Sequence, residues 1–201
     1  MLPLHDDNPT ERPPLITLAF IAACVLVFVY QASLPPDAGE TLAFHYGAIP
    51  ALVFGQAVLP EDVMGVSPSL TLITSMFLHG GWMHLLGNML YLWIFGNNIE
   101  DVMGHGRFVV FYLLCGILGA LSHALTDPAS QIPMIGASGA ISGILGAYLL
   151  LFPRAYVLVL MPAVGMTRVP AGFVLGMWFV TQLVSGGMSM GRYDYVPRVL
   201  A

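Results

Sequence analysis

Apolar positions gather in five long runs, starting near Leu15, Gly81, Phe108, Ile135 and Ala171, with short polar or Pro/Gly-rich stretches between them. Each is long enough to cross a bilayer as a helix, which takes roughly 17–25 residues. Helices satisfy their own backbone groups in lipid. The pattern predicts an all-α polytopic membrane bundle with five transmembrane helices: Leu15 to Gln31, Trp82 to Ile99, Phe108 to Leu125, Ile135 to Phe152 and Ala171 to Met190. Residues 15–190 then form one membrane domain, with 1–14 a short N-terminal segment and 191–201 an atypical tail. In the long first connection, Ala32 to Ser69, the stretch Tyr46 to Phe54 is apolar but broken by Gly47 and Pro50, which suits an interfacial segment.

Composition agrees with this class. The 201 residues are 57% hydrophobic and 8% charged, and the mean hydropathy is +0.82, which together exclude an ordinary soluble domain. Residues 1–14 lack the cleavage site of a secretory signal, so the first span is expected to stay as an anchor. A net charge of −5 without lysine offers no surface for nucleic acid. No phosphate loop or metal-spaced Cys/His set appears, so no cofactor and no metal are expected. Cys24 and Cys115 both fall inside predicted spans, where they pack as small hydrophobes.

Arginine sets the orientation, because basic residues in short loops favour the cytoplasmic side. Arg12, Arg107, Arg154 and Arg168 share one side of the alternating topology. The N-terminus is therefore expected in the cytoplasm and the first loop outside. Arg192 and Arg198, in the tail, fall on the opposite side and break the pattern.

The same alternation places His84 and Asn88, at the start of the second span, level with Ser138 at the start of the fourth. Polar residues inside spans are costly and mark a functional site by default. His84 and Asn88 are four apart and share a helix face, as a pair of donors for an oxyanion would. Ser138 opens its helix, where free N–H groups favour negative charge. Read alone, a serine in a Gly/Ala-rich membrane helix is ordinarily a packing residue bonded to its own backbone, and a His/Asn pair is an interhelical clasp. Gly136, Gly139, Gly143 and Gly146 form a small-residue face for close helix approach, or for self-association with a second copy.

The stretch Thr74-Ser-Met-Phe-Leu-His-Gly-Gly-Trp-Met-His-Leu-Leu-Gly-Asn88, continuing through Asn98-Ile-Glu-Asp101, together with Gly136-Ala-Ser-Gly139, resembles the rhomboid family of intramembrane serine proteases. The resemblance implies a compact, rhomboid-like helical fold in a membrane, here expected to be a bacterial plasma membrane. It implies Ser138 as nucleophile within a G-x-S-G motif that begins at Gly136, and His84 and Asn88 as oxyanion support. It also implies membrane-anchored protein substrates cut in or near their transmembrane helices. The family's base is a histidine on a sixth span, and no base histidine is found here: the chain ends in an eleven-residue tail without histidine and too short to span. A reading frame or gene end that departs near Gly191 would account for both the tail and its arginines. His123 is the nearest alternative by depth. Without the sixth helix, the glycine face of the fourth span is expected to lie open to lipid. Two functions follow: an endopeptidase impaired by the absent base, or a non-catalytic relative that binds transmembrane helices without cutting them. A transporter is disfavoured, since every acidic residue lies in a loop, a helix end or a terminus.

Overall fold

The computed structural model describes the backbone of residues 1–58, 65–162 and 164–190, and all side chains of these except those of 183 and 185–190. The tail expected at 191–201 lies outside the described residues. Five long helices coincide with the five predicted spans: α1 (Leu15–Ser33), α5 (Trp82–Met103), α6 (His105–Ala124), α7 (Ser138–Leu151) and α8 (Ala171–Met190). Among the described residues α1 and α6 are long and apolar enough, by length and composition, to cross a membrane. The first connection holds three short helices, α2 (Pro36–Tyr46), α3 (Pro50–Val53) and α4 (Pro68–Thr74), the last running into a 3-10 turn at Ser75–Phe77.

The expectation of an all-α chain needs correction. Strands β1 (Leu2–Asp6), β2 (Tyr156–Met161) and β3 (Gly165–Pro170) form an antiparallel sheet in the order β1-β2-β3. Val157 and Val159 alternate inward into the core while Tyr156 and Leu160 point out, the period-2 signature of a half-buried strand. Pro3, which has no N–H to donate, sits on β1 at the sheet edge, where that loss is tolerated. Residues 1–14 are thus part of the fold rather than a free segment.

Helix packing is closest where side chains are smallest. A Cβ on Gly119 of α6 would lie 2.7 Å from the Cα of Gly139 on α7, so the two backbones touch, the close approach that small-residue interfaces allow. Gly143 in turn receives the side chain of Cys115. The glycine face expected to lie open to lipid, and to be available for self-association, is at Gly139 and Gly143 covered by α6 of the same chain; only Gly146 has open space beside it. On its other sides α7 meets α5 and α8, where Trp178 Nε1 donates to Ser142 Oγ at 3.3 Å.

One end of the bundle is tied by carboxylates. Glu100, just beyond the apolar stretch that ends at Ile99, is 1% exposed and accepts from the N–H of Ile16 and of Thr17 at 2.8 Å and from Thr17 Oγ1 at 2.6 Å. It thereby caps the first turn of α1, whose orphan N–H groups need partners. Asp101 accepts from the N–H of Glu11 and Arg12. Asp6 on β1 accepts from the hydroxyl of Tyr148 at 2.7 Å, and burial raises its carboxyl above the usual range despite that bond. Burial opposes the charge on Glu100 as well, but the bonds from Thr17, Ile16 and His105 outweigh it and hold the carboxyl below its ordinary 4.5.

Removing that acceptor leaves buried donors unpaired. Glu100→Ala should lower stability by at least about 2 kcal/mol, read as thermal unfolding in detergent. Because the folded value is depressed, the stabilisation is complete above the ordinary carboxylate value and is lost as pH falls through the folded one. The gap between native chain and variant should therefore close in acid.

Candidate active site

Three segments meet at the opposite end of the bundle. The 3-10 turn Ser75–Phe77 leads through Leu78-His-Gly-Gly81 into α5, and Gln31 at the end of α1 fixes this link, donating from Nε2 to the His79 carbonyl at 3.0 Å. The strand-like segment before α7 is held from two directions. Met134 and Ala48 exchange backbone bonds of 2.8 and 3.0 Å, and the Gly136 N–H donates to the Ser75 carbonyl at 2.9 Å. The first loop and the turn before α5 therefore set the position of the residues that precede Ser138.

Helix α7 starts three residues later than the apolar pattern predicts. Ile135 and Gly136 belong to the pinned segment, and Ser138 is the first helical residue. Gly136 has φ of +124°, a region that a side chain rarely tolerates. Space is lacking as well: a Cβ there would lie 2.8 Å from His84 Nε2 and 3.7 Å from Asn88 Nδ2. The imidazole and the amide thus both flank Gly136, two residues before Ser138. The first bond within α7 runs from the Ile141 N–H to Ala137, so the N–H groups of Ser138, Gly139 and Ala140 precede it and carry the positive end of the helix. Ser138 itself is half-buried.

The orientation of His84 follows from its other nitrogen. The Gly80 N–H donates to Nδ1 at 3.3 Å, which requires Nδ1 to be unprotonated and puts the ring proton on Nε2. Nε2 is the nitrogen beside Gly136. Asn88 is 1% exposed, and neither its Oδ1 nor its Nδ2 has a partner. A buried amide left without partners is costly and calls for an explanation. A donor held ready for a charge that appears only during reaction would be left in this state.

Of the residues singled out from sequence, the fold brings His84, Asn88 and Gly136 together, with Ser138 two residues beyond. His123 stands apart from them in character: it is exposed, and its carbonyl rather than its ring is bonded, by Thr126. His79, within the stretch Thr74 to Asn88, carried no role of its own in the sequence. It is fully buried, its ring centroid is 5.2 Å from that of His84, and its Nε2 has no partner. Burial, with His84 beside it, pushes the His79 ring down to about 4, so it is neutral at pH 7. The sequence signal was its place five residues before His84.

Comparison with known proteins gives the same constellation a family. The Rhomboid domain model matches residues 68–196, more than half of the chain, from α4 to beyond α8. The chain belongs to the rhomboid family. As a rhomboid it is an integral membrane protein of mostly helical fold. It is 45% identical over 78 residues to the Rhomboid protease GluP of Bacillus subtilis (strain 168), a match covering 39% of this chain and 15% of that one. It is 40% identical over 78 residues to the Putative rhomboid protease YdcA of the same organism, covering 39% of each. RHOMBOID-like protein 4 of Arabidopsis thaliana is 32% identical over 154 residues, 68% of this chain and 39% of that one. The matches thus span between 15% and 39% of these relatives' length. With plant and yeast mitochondrial rhomboids among the relatives, the expected bacterial membrane is not singled out.

Two substitutions separate the energetics of this site from ordinary packing. Asn88→Leu, which removes the orphaned amide at similar size, should raise stability by about 1–3 kcal/mol, as stabilising changes at functional sites do. Gly136→Ala should lower it by about 1–3 kcal/mol through backbone strain and the clash with His84. Both are read from unfolding in detergent.

Proposed function

We propose that this rhomboid is an intramembrane serine endopeptidase by construction, acting on membrane-anchored proteins in or near their transmembrane segments. All five long helices cross the bilayer in this reading, with the N-terminus and the sheet on the cytoplasmic side and Ser138 in the outer leaflet. The observation that carries the proposal is the flanking of Gly136, within the G-x-S-G motif, by a His84 nitrogen that bears its proton and by the unpartnered Asn88 amide.

In this reading Ser138 Oγ attacks the scissile carbonyl. The negative charge that forms on the carbonyl oxygen is held by His84 Nε2–H, by Asn88 Nδ2 and by the N–H groups that open α7. One such donor is worth about 2.7–4 kcal/mol of transition-state stabilisation. Asn88 stays unpartnered in the resting site, so its bond is gained only in the transition state, the condition under which binding energy accelerates chemistry.

The attack also needs a base to take the serine proton. Of the six histidines, His84 is committed as a donor, His79 lies behind it, His5 and His105 belong to the opposite end, His45 is in α2 and His123 is exposed. Appreciable turnover depends on such a base, since its loss in soluble serine proteases costs on the order of a millionfold. The second reading is a rhomboid that binds transmembrane helices without cutting them, in which none of these histidines acts as a base.

Labelling with a fluorophosphonate serine probe in detergent discriminates the two. Labelling of the native chain that vanishes in Ser138→Ala is the outcome expected of an endopeptidase. A folded sample that stays unlabelled would overturn it in favour of the binder.

A further inference from the structure

The β1-β2-β3 sheet has no part in the chemistry above, and it has two unlike faces. Pro3, Val157 and Val159 turn inward. On the outer face the register aligns Leu2, Leu160 and Met166 in one row, and Tyr156 with Pro170 in another. Leu2, Tyr156, Leu160 and Met166 are 47%, 46%, 40% and 69% exposed. Arg168 is exposed on the same face, opposite Leu158. Apolar surface gathered in this way marks an interaction site rather than ordinary scatter.

Depth identifies the occupant. Helix α7 has 14 residues and so rises about 21 Å, against a hydrocarbon core of roughly 30 Å. Counted from Ser138 in the outer leaflet, α7 ends near the inner boundary of the hydrocarbon core. Tyr156 follows five residues after Leu151, and β3 passes without a break into α8 at Ala171, whose N–H donates to the Ala155 carbonyl at 2.9 Å. The sheet therefore begins at the level of the inner headgroups. The helices on either side of β2 and β3 in the chain also expose apolar side chains: Leu150 on α7 and Phe173 on α8. Pairing between strands satisfies most of its backbone, as an element near lipid requires.

We propose that the outer face of this sheet lies on the cytoplasmic leaflet as an interfacial anchor. Leu160 and Met166 enter the upper acyl chains, Tyr156 sits at headgroup level and Arg168 reaches lipid phosphate. Aromatic and basic side chains at this depth have that partition, and anionic lipid attracts arginine there. The sheet then fixes how deeply α7 and α8 sit, independently of any proteolysis.

The proposal rests on the membrane placement of α7, and the test separates the two. Nitroxide labels are placed singly at Leu160→Cys, Met166→Cys and, as a lipid-facing control, Leu150→Cys, in a Cys24→Ala/Cys115→Ala chain reconstituted in phosphatidylcholine/phosphatidylglycerol vesicles. Collision with oxygen and with a water-soluble nickel chelate is then measured. The expected result is a shift at Leu160 and Met166 toward the oxygen-rich, nickel-poor signature of Leu150. A lipid signature at Leu150 with a water signature at both sheet positions would overturn the anchor and leave the face free for a soluble protein partner. A water signature at Leu150 as well would overturn both the anchor and the membrane placement. Should the cysteine-free chain not fold, oxidation of Met166 by hydrogen peroxide in the native chain decides the same question: slower sulfoxide formation in vesicles than in a free peptide of residues 156–170 supports the anchor, and equal rates overturn it.

Discussion

Everything at the candidate site depends on how closely α6 and α7 approach. Backbone contact between Gly119 and Gly139 puts the start of α7 against its neighbour with no side chain between them. Ser138 is the residue just before that contact, so its position is set by main chain rather than by rotamers. A hydroxyl placed in this way loses little geometry to side-chain motion, and precise placement is the main thing a rigid scaffold contributes to chemistry. The pinned segment Met134–Gly136 extends this upstream, because Ala48 and Ser75 hold its backbone from separate parts of the chain.

The two ends of the bundle use polar groups differently. At the carboxylate end Glu100 caps α1, Asp101 takes the chain before it and Tyr148 donates to Asp6, while Asp6 Oδ1 and Asn98 Oδ1 stay unpartnered. At the serine end Asn88 and His79 are buried with atoms left over. Satisfied networks hold a fold, whereas unsatisfied ones store free energy that only a reaction or a ligand releases. The amide with neither atom partnered, Asn88, lies at the serine end.

Much of this was legible in the sequence. Apolar run length placed α1, α5 and α8 to within a few residues, and the spacing pointed to His84, Asn88 and the G-x-S-G motif, which the fold brings together at Gly136. The start of α7 was misplaced because Ile135 and Ala137 are as apolar as the helix itself, and only the bonds to Ala48 and Ser75 keep them out of it. The sheet was missed for a related reason. Val157 to Met161 reads as a short greasy linker until Leu2 to Asp6, some 150 residues away, pairs with it, and pairings across such separations leave no local periodicity. His79 was undervalued because its burial comes from the packing of α1 and the 3-10 turn around it.

The cap that Glu100 places on α1 has a consequence for how the chain is made. Thr17 and its acceptor are 83 residues apart. During synthesis the first turn of α1 therefore lacks its carboxylate acceptor until α5 has been made and has turned its end back toward the start of the chain. The earliest helix to emerge is thus finished only by the second long one, before the other three are made.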